Sequence, residues 1–196
     1  MILESKENIE VPGGRVGFRA NWIAQSEAED WMQRLMSETN WQQPIVTVFG
    51  KQHPVPRLVA CHGERAYAYS NQVQEVSPMF SLLEGICRRV EVETGCRFNS
   101  VLLNYYRSGV DTMGWHADDE KALGETPVIA SVSLGASRVF RMRHRRYTQW
   151  RFEVTLTHGS LFIMWPDTQE NWLHSVPRQS ACVSPRINLT FRYIHD

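Results

Sequence analysis

The segment Arg186-Ile187-Asn188-Leu189-Thr190-Phe191-Arg192 alternates polar and apolar residues, as a β-strand does when its two faces differ. Side chains alternate across a strand, so its four polar residues share one face, while Ile187, Leu189 and Phe191 share the other. The apolar face must pack against a core, and arginines on the opposite face can be buried only if an anion pairs with them. The stretch therefore predicts a strand in a packed sheet with an anion site on its polar face.

The composition is that of a globular protein. Of 196 residues, 42% are hydrophobic and 21% charged, and the formal net charge is +0. A nucleic-acid surface must therefore be a local patch, and the arginines between Arg138 and Arg146 form one. Four cysteines include no C-x-x-C pair, so we expect reduced thiols. No signal core and no apolar run of ~18 residues is present, so we expect no membrane contact and a cytoplasmic or, in a eukaryote, nuclear location. We also expect a monomer.

Two helices are predicted in the first half of the chain. The first runs from Ser26 to about Ser37, with Ser26 and Glu29 as a capping box and an apolar stripe behind them. The second begins at Ser77-Pro78, a good cap followed by proline, and ends near Gly95. We expect both helices to pack against a sheet.

Short strands separated by turn residues are predicted from Phe98 onward. Their bounds are 100–106, 128–134, 138–143, 152–156, 160–164 and 186–194. Such a pattern favours a sandwich or barrel, of which the jelly roll is one form, and further hairpins are predicted between Ile45 and Tyr69. The predicted fold is mainly β with flanking helices. It comprises an N-terminal extension of helices and hairpins (1–97) and a jelly-roll core (98–196), which together form one structural domain.

Candidate metal ligands precede the arginine strand. His116 and Asp118 stand two apart, so a strand edge can aim both at one ion, and His174 would come from a much later loop. Two imidazoles and one carboxylate are the ligand set of non-haem iron oxygenases. Asn104 and Tyr106 share a strand face that could hydrogen-bond a carboxylate, and two fixed arginines suit a dicarboxylate. The combination predicts Fe(II) with 2-oxoglutarate.

These motifs resemble the AlkB family of Fe(II)/2-oxoglutarate-dependent DNA dealkylases. The likeness runs from about Val46 to Ile194 and includes Asn104-x-Tyr106, His116-x-Asp118-Asp119-Glu120, His174 and the arginine strand. It is closest to the branch that repairs double-stranded DNA. The further segments that match this branch are Val48-Phe49-Gly50-Lys51, Val55-Pro56-Arg57 and Tyr67-Ala68-Tyr69-Ser70.

The resemblance implies a site in which iron and its co-substrate lie side by side. The implied iron ligands are His116, Asp118 and His174. The implied 2-oxoglutarate residues are Asn104, Tyr106, Arg186, Asn188 and Arg192. Arg186 is expected at the distal carboxylate and Arg192 near the metal-bound end. The implied reaction uses O2 and 2-oxoglutarate to hydroxylate an N-alkyl group on a base, which is then released as an aldehyde.

The implied substrates are 1-methyladenine and 3-methylcytosine in DNA, with duplex DNA favoured. A methyl group on a Watson–Crick nitrogen is inaccessible inside a duplex, so the base must be flipped. Tyr69 would stack on that base, Phe49 would fill the gap it leaves, and Glu120 would favour a cationic alkylated base. The remaining implied substrate contacts are Lys51, Arg57, Tyr67 and Ser70. The N-terminal hairpins would form a nucleotide-recognition lid, and the Arg138–Arg146 run would contact phosphates.

Three other interpretations stay open at this point. The same chemistry could act on RNA or single-stranded DNA, and Phe49 separates this case from duplex repair. A DNA-binding module without catalysis is a second interpretation, although buried arginines without a co-substrate are hard to sustain. A cupin-like zinc or manganese protein is a third, and it leaves Arg186 and Arg192 unexplained.

Overall fold

The computed structural model describes residues 6–48, 50–65, 68–69, 72–73 and 76–195. Its strands are β1 (Lys6–Val11), β2 (Gly14–Arg19), β3 (Ile45–Val48), β4 (Lys51–Pro54), β5 (Leu58–Gly63), β6 (Ala68–Tyr69), β7 (Gln72–Val73), β8 (Val76–Ser77), β9 (Ser100–Tyr106), β10 (Met113–His116), β11 (Ile129–Gly135), β12 (Arg138–His144), β13 (Arg151–Leu156), β14 (Ser160–Met164), β15 (Trp172–Val176) and β16 (Arg186–Arg192). Its α-helices are α1 (Gln25–Glu38), α2 (Ser81–Thr94) and α3 (Thr168–Asn171), and Lys121–Leu123 forms a short 3-10 helix.

Two sheets carry most of these strands. The large sheet has eight strands in the order β1-β2-β14-β11-β16-β9-β5-β8, and the small sheet has four in the order β10-β15-β12-β13. The strands from Ser100 onward are divided equally between them: β9, β11, β14 and β16 lie in the large sheet, and β10, β12, β13 and β15 in the small one. This division is that of a jelly roll. The hairpins β3–β4 and β6–β7 form separate two-stranded sheets.

The arginine strand, β16, lies inside the large sheet between β11 and β9. Ile187, Leu189 and Phe191 are 0% exposed and belong to a core shared with α1 and α2, so the expected packing of both helices on a sheet is confirmed. A second apolar core draws on strands of both sheets. The polar face of β16 is buried as well. The alternation predicted from the sequence is therefore confirmed: the apolar face of the strand packs in the core shared with the helices, and the polar face is buried on the opposite side of the sheet.

The start of α1 differs from the prediction. The helix begins at Gln25, Ala24 occupies the N-cap position, and no side chain caps it. The predicted Ser26–Glu29 capping box is therefore wrong, because Ser26 already lies inside the first turn. The helix ends at Glu38, one residue beyond the predicted end.

The start of α2 is also later than predicted. Val76–Ser77 pairs with Cys61 and His62 as the strand β8, so these residues cannot begin a helix, and α2 begins at Ser81. Its end agrees with the prediction, since Gly95 caps it with a positive φ of 68°.

The strand bounds follow the prediction closely in the core. β9 and β14 have the predicted bounds, β11, β12 and β13 differ by one residue, and β16 ends at Arg192 instead of Ile194. The hairpin β1–β2 was not predicted, and it joins the large sheet through the pairing of β2 with β14. The division of the chain at residue 97 stays a prediction. In the part of the chain that the structure describes, no helix has the length and apolarity that crossing a bilayer requires.

Candidate metal centre and anion pocket

His116 and His174 lie on neighbouring strands of the small sheet. The register of β10 with β15 pairs His116 directly with His174, and the ring centroids are 4.1 Å apart. His174 therefore comes from a strand, and the loop predicted for it is wrong. The physical reason is that β15 pairs with both β10 and β12, so it is held on both sides.

Asp118 completes the cluster. One ligand atom from each of His116, Asp118 and His174 lies within 4.8 Å of the others, which is close enough for one ion to bind all three. The backbone N–H of Asp118 donates to Oε1 of Gln169 at 2.9 Å. The carboxylate Oδ1 accepts a hydrogen bond from Nη2 of Arg192 at 2.7 Å. Two imidazoles and a carboxylate in this arrangement fit a facial site for Fe(II).

The cluster is in the protonation state that metals require. Burial lowers the pKa of His174 to about 3 and also lowers that of His116. Burial alone would raise the pKa of Asp118, but Arg192 and the two histidines outweigh it and hold this pKa at about 2. Nδ1 of His116 lies 2.9 Å from the carbonyl oxygen of Gly114. Donation from Nδ1 would leave Nε2 of His116 for a metal.

The eight residues predicted to bind metal and 2-oxoglutarate are brought together around one cavity. They are Asn104, Tyr106, His116, Asp118, His174, Arg186, Asn188 and Arg192. The same cavity is lined by Met113, Ser131, Phe140, Met164, Val176 and Thr190. Residues far apart in the chain meet here because β16 and β9 pair in the large sheet, with Asn188 opposite Asn104, while the histidines come from the small sheet.

Arg186 gives this cavity an anion-binding end. Arg186 is only 1% exposed, and its Nη2 donates to Oγ of Ser133 at 2.9 Å. Among the described residues, its Nε and Nη1 have no hydrogen-bond partner. Burial lowers the pKa of Arg186 to about 10, so the group is still charged at neutral pH. A buried cation with two donors that have no partner fits a carboxylate, because Ser133 and Tyr106 compensate its desolvation only in part.

The polar residues beside Arg186 are held by their neighbours. Asn188 Nδ2 donates to Oγ of Ser131 at 2.7 Å, and Thr190 Oγ1 donates to Oδ1 of Asn188 at 3.0 Å. The guanidinium carbon of Arg186 lies over the ring of Tyr106, 5.2 Å from its centroid. The pocket is thus pre-organised by hydrogen bonds and ring contacts within the protein.

Several residues of this site were not identified from the sequence, and Gln169 and Phe140 are the most informative of them. Gln169 in α3 is buried and binds the backbone of Asp118, but a lone polar residue in a short helix gives no sequence signal. Phe140 stacks on His174, with ring centroids 5.2 Å apart and planes at 26°. The alternation of Phe140 and Met142 with arginines along β12 could have identified Phe140 as inward-facing.

The predicted substrate residues lie in different environments. Lys51 is exposed on the β3–β4 hairpin, and Glu120 is partly buried just before the short 3-10 helix. Arg57 is buried, and its Nε donates to Oδ1 of Asn104 at 2.7 Å, so it contacts the cavity wall. Residues Phe49, Tyr67 and Ser70 and the side chain of Tyr69 lie outside the described residues, although the backbone of Tyr69 forms part of β6.

The predicted basic run is divided between two faces. Arg138 is buried and donates to the carbonyl oxygens of Ser108, Asp111 and Pro177. Arg141, Arg143 and Arg145 are exposed on the opposite face, as the alternation predicts. Arg141 pairs with Glu153 at 2.6 Å, and Arg145 pairs with Asp119.

Comparison with known proteins identifies relatives over most of the chain. The model of the 2OG-Fe(II) oxygenase superfamily matches residues 16–192. "Alpha-ketoglutarate-dependent dioxygenase alkB homolog 3" of Rattus norvegicus is 38% identical over 191 residues, which cover 92% of this chain and 64% of that protein. "DNA oxidative demethylase ALKBH2" of Homo sapiens is 39% identical over 184 residues, covering 88% of this chain and 70% of that protein. The chain spans 64% and 66% of the rat and mouse homolog 3 proteins.

A solved structure shows the same fold at low sequence identity. "The structure of OsALKBH1" superposes with a TM-score of 0.67 at 15% identity and covers 94% of this chain and 99% of that one. Together with the strand order described above, this similarity confirms the predicted jelly-roll fold with flanking helices.

Proposed function

This chain belongs to the AlkB family within the 2OG-Fe(II) oxygenase superfamily, and from that membership we propose that it removes N-alkyl groups from nucleic-acid bases by oxidation. Membership confirms the family predicted from the motifs and, with it, Fe(II), 2-oxoglutarate and O2 as the reagents. When bound, iron and 2-oxoglutarate supply the oxidation of the alkyl carbon by O2, with succinate, carbon dioxide and an aldehyde as products.

The site residues take the following roles in this proposal. His116, Asp118 and His174 hold Fe(II). Arg186 binds the distal carboxylate of 2-oxoglutarate through its two free donors, and this is the observation that carries the proposal. Arg192, which pairs with Asp118, lies beside the metal end of the co-substrate. Asn104, Tyr106 and Asn188 complete the pocket.

The proposed substrates are 1-methyladenine and 3-methylcytosine in DNA. Both alkylated bases are cations, so the carboxylate of Glu120, two positions beyond Asp118, would favour them over the neutral parent bases. Tyr69 would stack on the flipped base, and Tyr67 and Ser70 would line its pocket. Lys51 and Arg57 complete the proposed substrate contacts. The names of the human and bovine ALKBH2 relatives, which specify DNA oxidative demethylation, support DNA as the substrate.

Duplex DNA is the favoured form of the substrate in this proposal. β3 and β4 pair as far as Val48 opposite Lys51, in a hairpin that lies outside the large and the small sheet. Gly50 has a positive φ of 75°, which allows a two-residue turn there. Phe49 lies between these paired residues in the sequence, and in this proposal it fills the gap that a flipped base leaves. The expected monomeric state and the cytoplasmic location stay predictions.

A panel of methylated oligonucleotides tests the proposal. Formaldehyde is measured from 1-methyladenine and 3-methylcytosine in duplex DNA, single-stranded DNA and RNA, with and without Fe(II) and 2-oxoglutarate. We expect release from DNA that requires both reagents, and Phe49→Ala should lose duplex activity much more than single-strand activity. Equal losses of duplex and single-strand activity would show that Phe49 does not fill the gap left by the flipped base. Release from RNA alone would replace DNA as the substrate.

A further inference from the structure

A groove crosses the outer face of the small sheet, on the side opposite the metal cluster. Residues adjacent in a strand point to opposite faces, so Trp115 lies outside where His116 lies inside, and Leu173 lies outside where His174 lies inside. Trp115 and Leu173 line the groove together with Arg141, Arg143 and residues of β13. The arginines of this surface were expected to contact phosphates, but no role proposed above places a base here or uses Trp115.

The groove is positively charged. Its acidic and arginine side chains are Arg141, Arg143, Arg145, Arg151 and Glu153. The chain as a whole has a formal net charge of +0, so this concentration of arginine is local. Two of the arginines already pair with carboxylates, Arg141 with Glu153 and Arg145 with Asp119. Arg143 and Arg151 have no ion pair among the described residues, and they leave the groove complementary to an anion.

Trp115 adds an aromatic surface to that charge. It is 41% exposed, and the guanidinium carbon of Arg143 lies 4.4 Å from its ring centroid. The contact holds Arg143 beside the indole. Because the side chain is already restricted, it loses less conformational entropy when it binds a phosphate. A cationic groove with an exposed aromatic ring and a stacked arginine is the arrangement that binds single-stranded nucleic acid.

We propose that this groove binds an unpaired nucleotide of the substrate strand, whose base stacks on the Trp115–Arg143 pair and whose phosphates contact Arg143 and Arg151. This inference rests on the proposed function and extends it to a second contact region. Trp115 and His116 are neighbours on β10, the outermost strand of the small sheet, so a strand with its target base at the metal site can pass around this edge to the groove. A base that is paired inside a duplex has no free face to offer, so this stacking contact adds affinity for single-stranded substrates, whereas the action on duplex DNA proposed above rests on Phe49.

The test compares strands that differ in their bases and pairing. Fluorescence anisotropy measures the affinity of the full chain for a labelled single-stranded DNA, the RNA of the same sequence, the fully paired DNA duplex and a strand of abasic sites. Trp115→Ala should weaken binding to base-bearing single strands roughly 5- to 150-fold, the range for loss of one stacking contact. Binding to the duplex and to the abasic strand should change less than about twofold. The DNA and RNA strands show which sugar the groove accepts.

Matched variants separate stacking from charge and from misfolding. Trp115→Phe should retain most of the affinity, and Tyr193→Ala, which removes an exposed aromatic ring outside the groove, should have no effect. Arg143→Gln should weaken binding to the abasic strand as well and reduce the salt dependence by about one phosphate contact. Unchanged single-strand binding by Trp115→Ala would overturn the proposal, and so would an equal loss for all four nucleic acids.

A small substrate keeps this result separate from the proposed function. A methylated mononucleotide has no neighbouring base to stack on Trp115, so wild type and Trp115→Ala should turn it over at the same rate. If both proteins turn over the mononucleotide and Trp115→Ala does not weaken single-strand binding, the dealkylase proposal stands and the groove proposal is wrong. If Trp115→Ala weakens single-strand binding but no methylated substrate is turned over, the groove proposal stands and the dealkylase proposal is wrong. Loss of mononucleotide turnover in Trp115→Ala would also overturn the proposal, because it would place Trp115 in support of the metal site.

Discussion

Arg192 and Asp118 form a buried ion pair, with Nη2 of Arg192 2.7 Å from Oδ1 of Asp118 and both side chains at most 3% exposed. The pair joins the last residue of β16 to a proposed iron ligand 74 positions earlier in the chain. It therefore connects the large sheet, which carries the anion pocket, to the metal cluster. The positions of metal and co-substrate are coupled through this contact.

Removal of Arg192 should strongly destabilise the protein. In Arg192→Met the Asp118 carboxylate stays buried without its guanidinium, and breaking such a pair costs about 3–5 kcal/mol. The exposed pair of Arg34 with Glu38 is the matched control, because solvent screens this pair and Arg34→Met should change the stability little. Urea unfolding without added metal measures both free energies. Equal losses in the two variants would contradict the structural role given to Arg192.

Arg186 should have opposite effects on stability and on co-substrate binding. Arg186→Met removes a buried cation with two free donors, so without 2-oxoglutarate the variant should be at least as stable as the wild type. With Mn²⁺ bound, 2-oxoglutarate at 100 times its Kd should stabilise the wild type by about 2.7 kcal/mol and leave the variant unchanged. Thermal unfolding measures this difference, with the exposed Arg97→Met as control. An equal response of Arg186→Met and wild type to 2-oxoglutarate would exclude Arg186 from the pocket.

Gln169 should support the metal site although it is not a ligand. Its Oε1 holds the backbone N–H of Asp118, and loss of such a supporting contact typically costs 10- to 100-fold in metal affinity. We expect a loss of about this size in Gln169→Leu, measured by calorimetric titration with Mn²⁺. Gln33→Leu, a change on the exposed side of α1, should bind Mn²⁺ as the wild type does. Unchanged affinity in Gln169→Leu would show that Asp118 is positioned without this hydrogen bond.

Asp111 should make stability depend on pH in the acid range. Burial alone would raise its pKa, but hydrogen bonds from Arg107, including Nε at 2.8 Å, outweigh it and lower the pKa from 3.8. The contribution of the charged carboxylate is therefore complete above about pH 4 and is lost as the pH falls through the lower folded value. Asp111→Asn should cost about 1.5–3 kcal/mol at neutral pH, and this difference should shrink as the pH falls below about 4. A difference that is constant over this range would contradict the assignment.

The sequence predicted the parts of the site that depend on strand alternation. Arg186, Asn188 and Arg192 were found because a polar face inside an apolar strand is unusual, and both faces of β16 are buried as expected. The strand that carries His174 was missed, because Trp172–Val176 is buried along most of its length and shows no alternation. Its structure is set by pairing with β10 and β12, which is a tertiary property.

Tertiary contacts also account for the errors in the N-terminal half. The start of α2 was placed at Ser77-Pro78 because these residues form a good helix cap, but pairing with β5 outweighs that local preference. The turn at Pro12-Gly13 is visible in the sequence, whereas the attachment of β2 to β14 is not, because the two strands are far apart in the chain.

We propose that one cavity holds iron and 2-oxoglutarate and receives the alkylated base, and measuring both products of one reaction tests this. Succinate and formaldehyde are quantified together from a DNA strand with a single 1-methyladenine, for wild type, His174→Ala and the exposed control His195→Ala. We predict equal amounts of the two products, dependence on Fe(II) and 2-oxoglutarate, loss of both products in His174→Ala and full activity in His195→Ala. Formaldehyde release that persists in His174→Ala, or succinate formed without formaldehyde from any methylated strand, would contradict the claim.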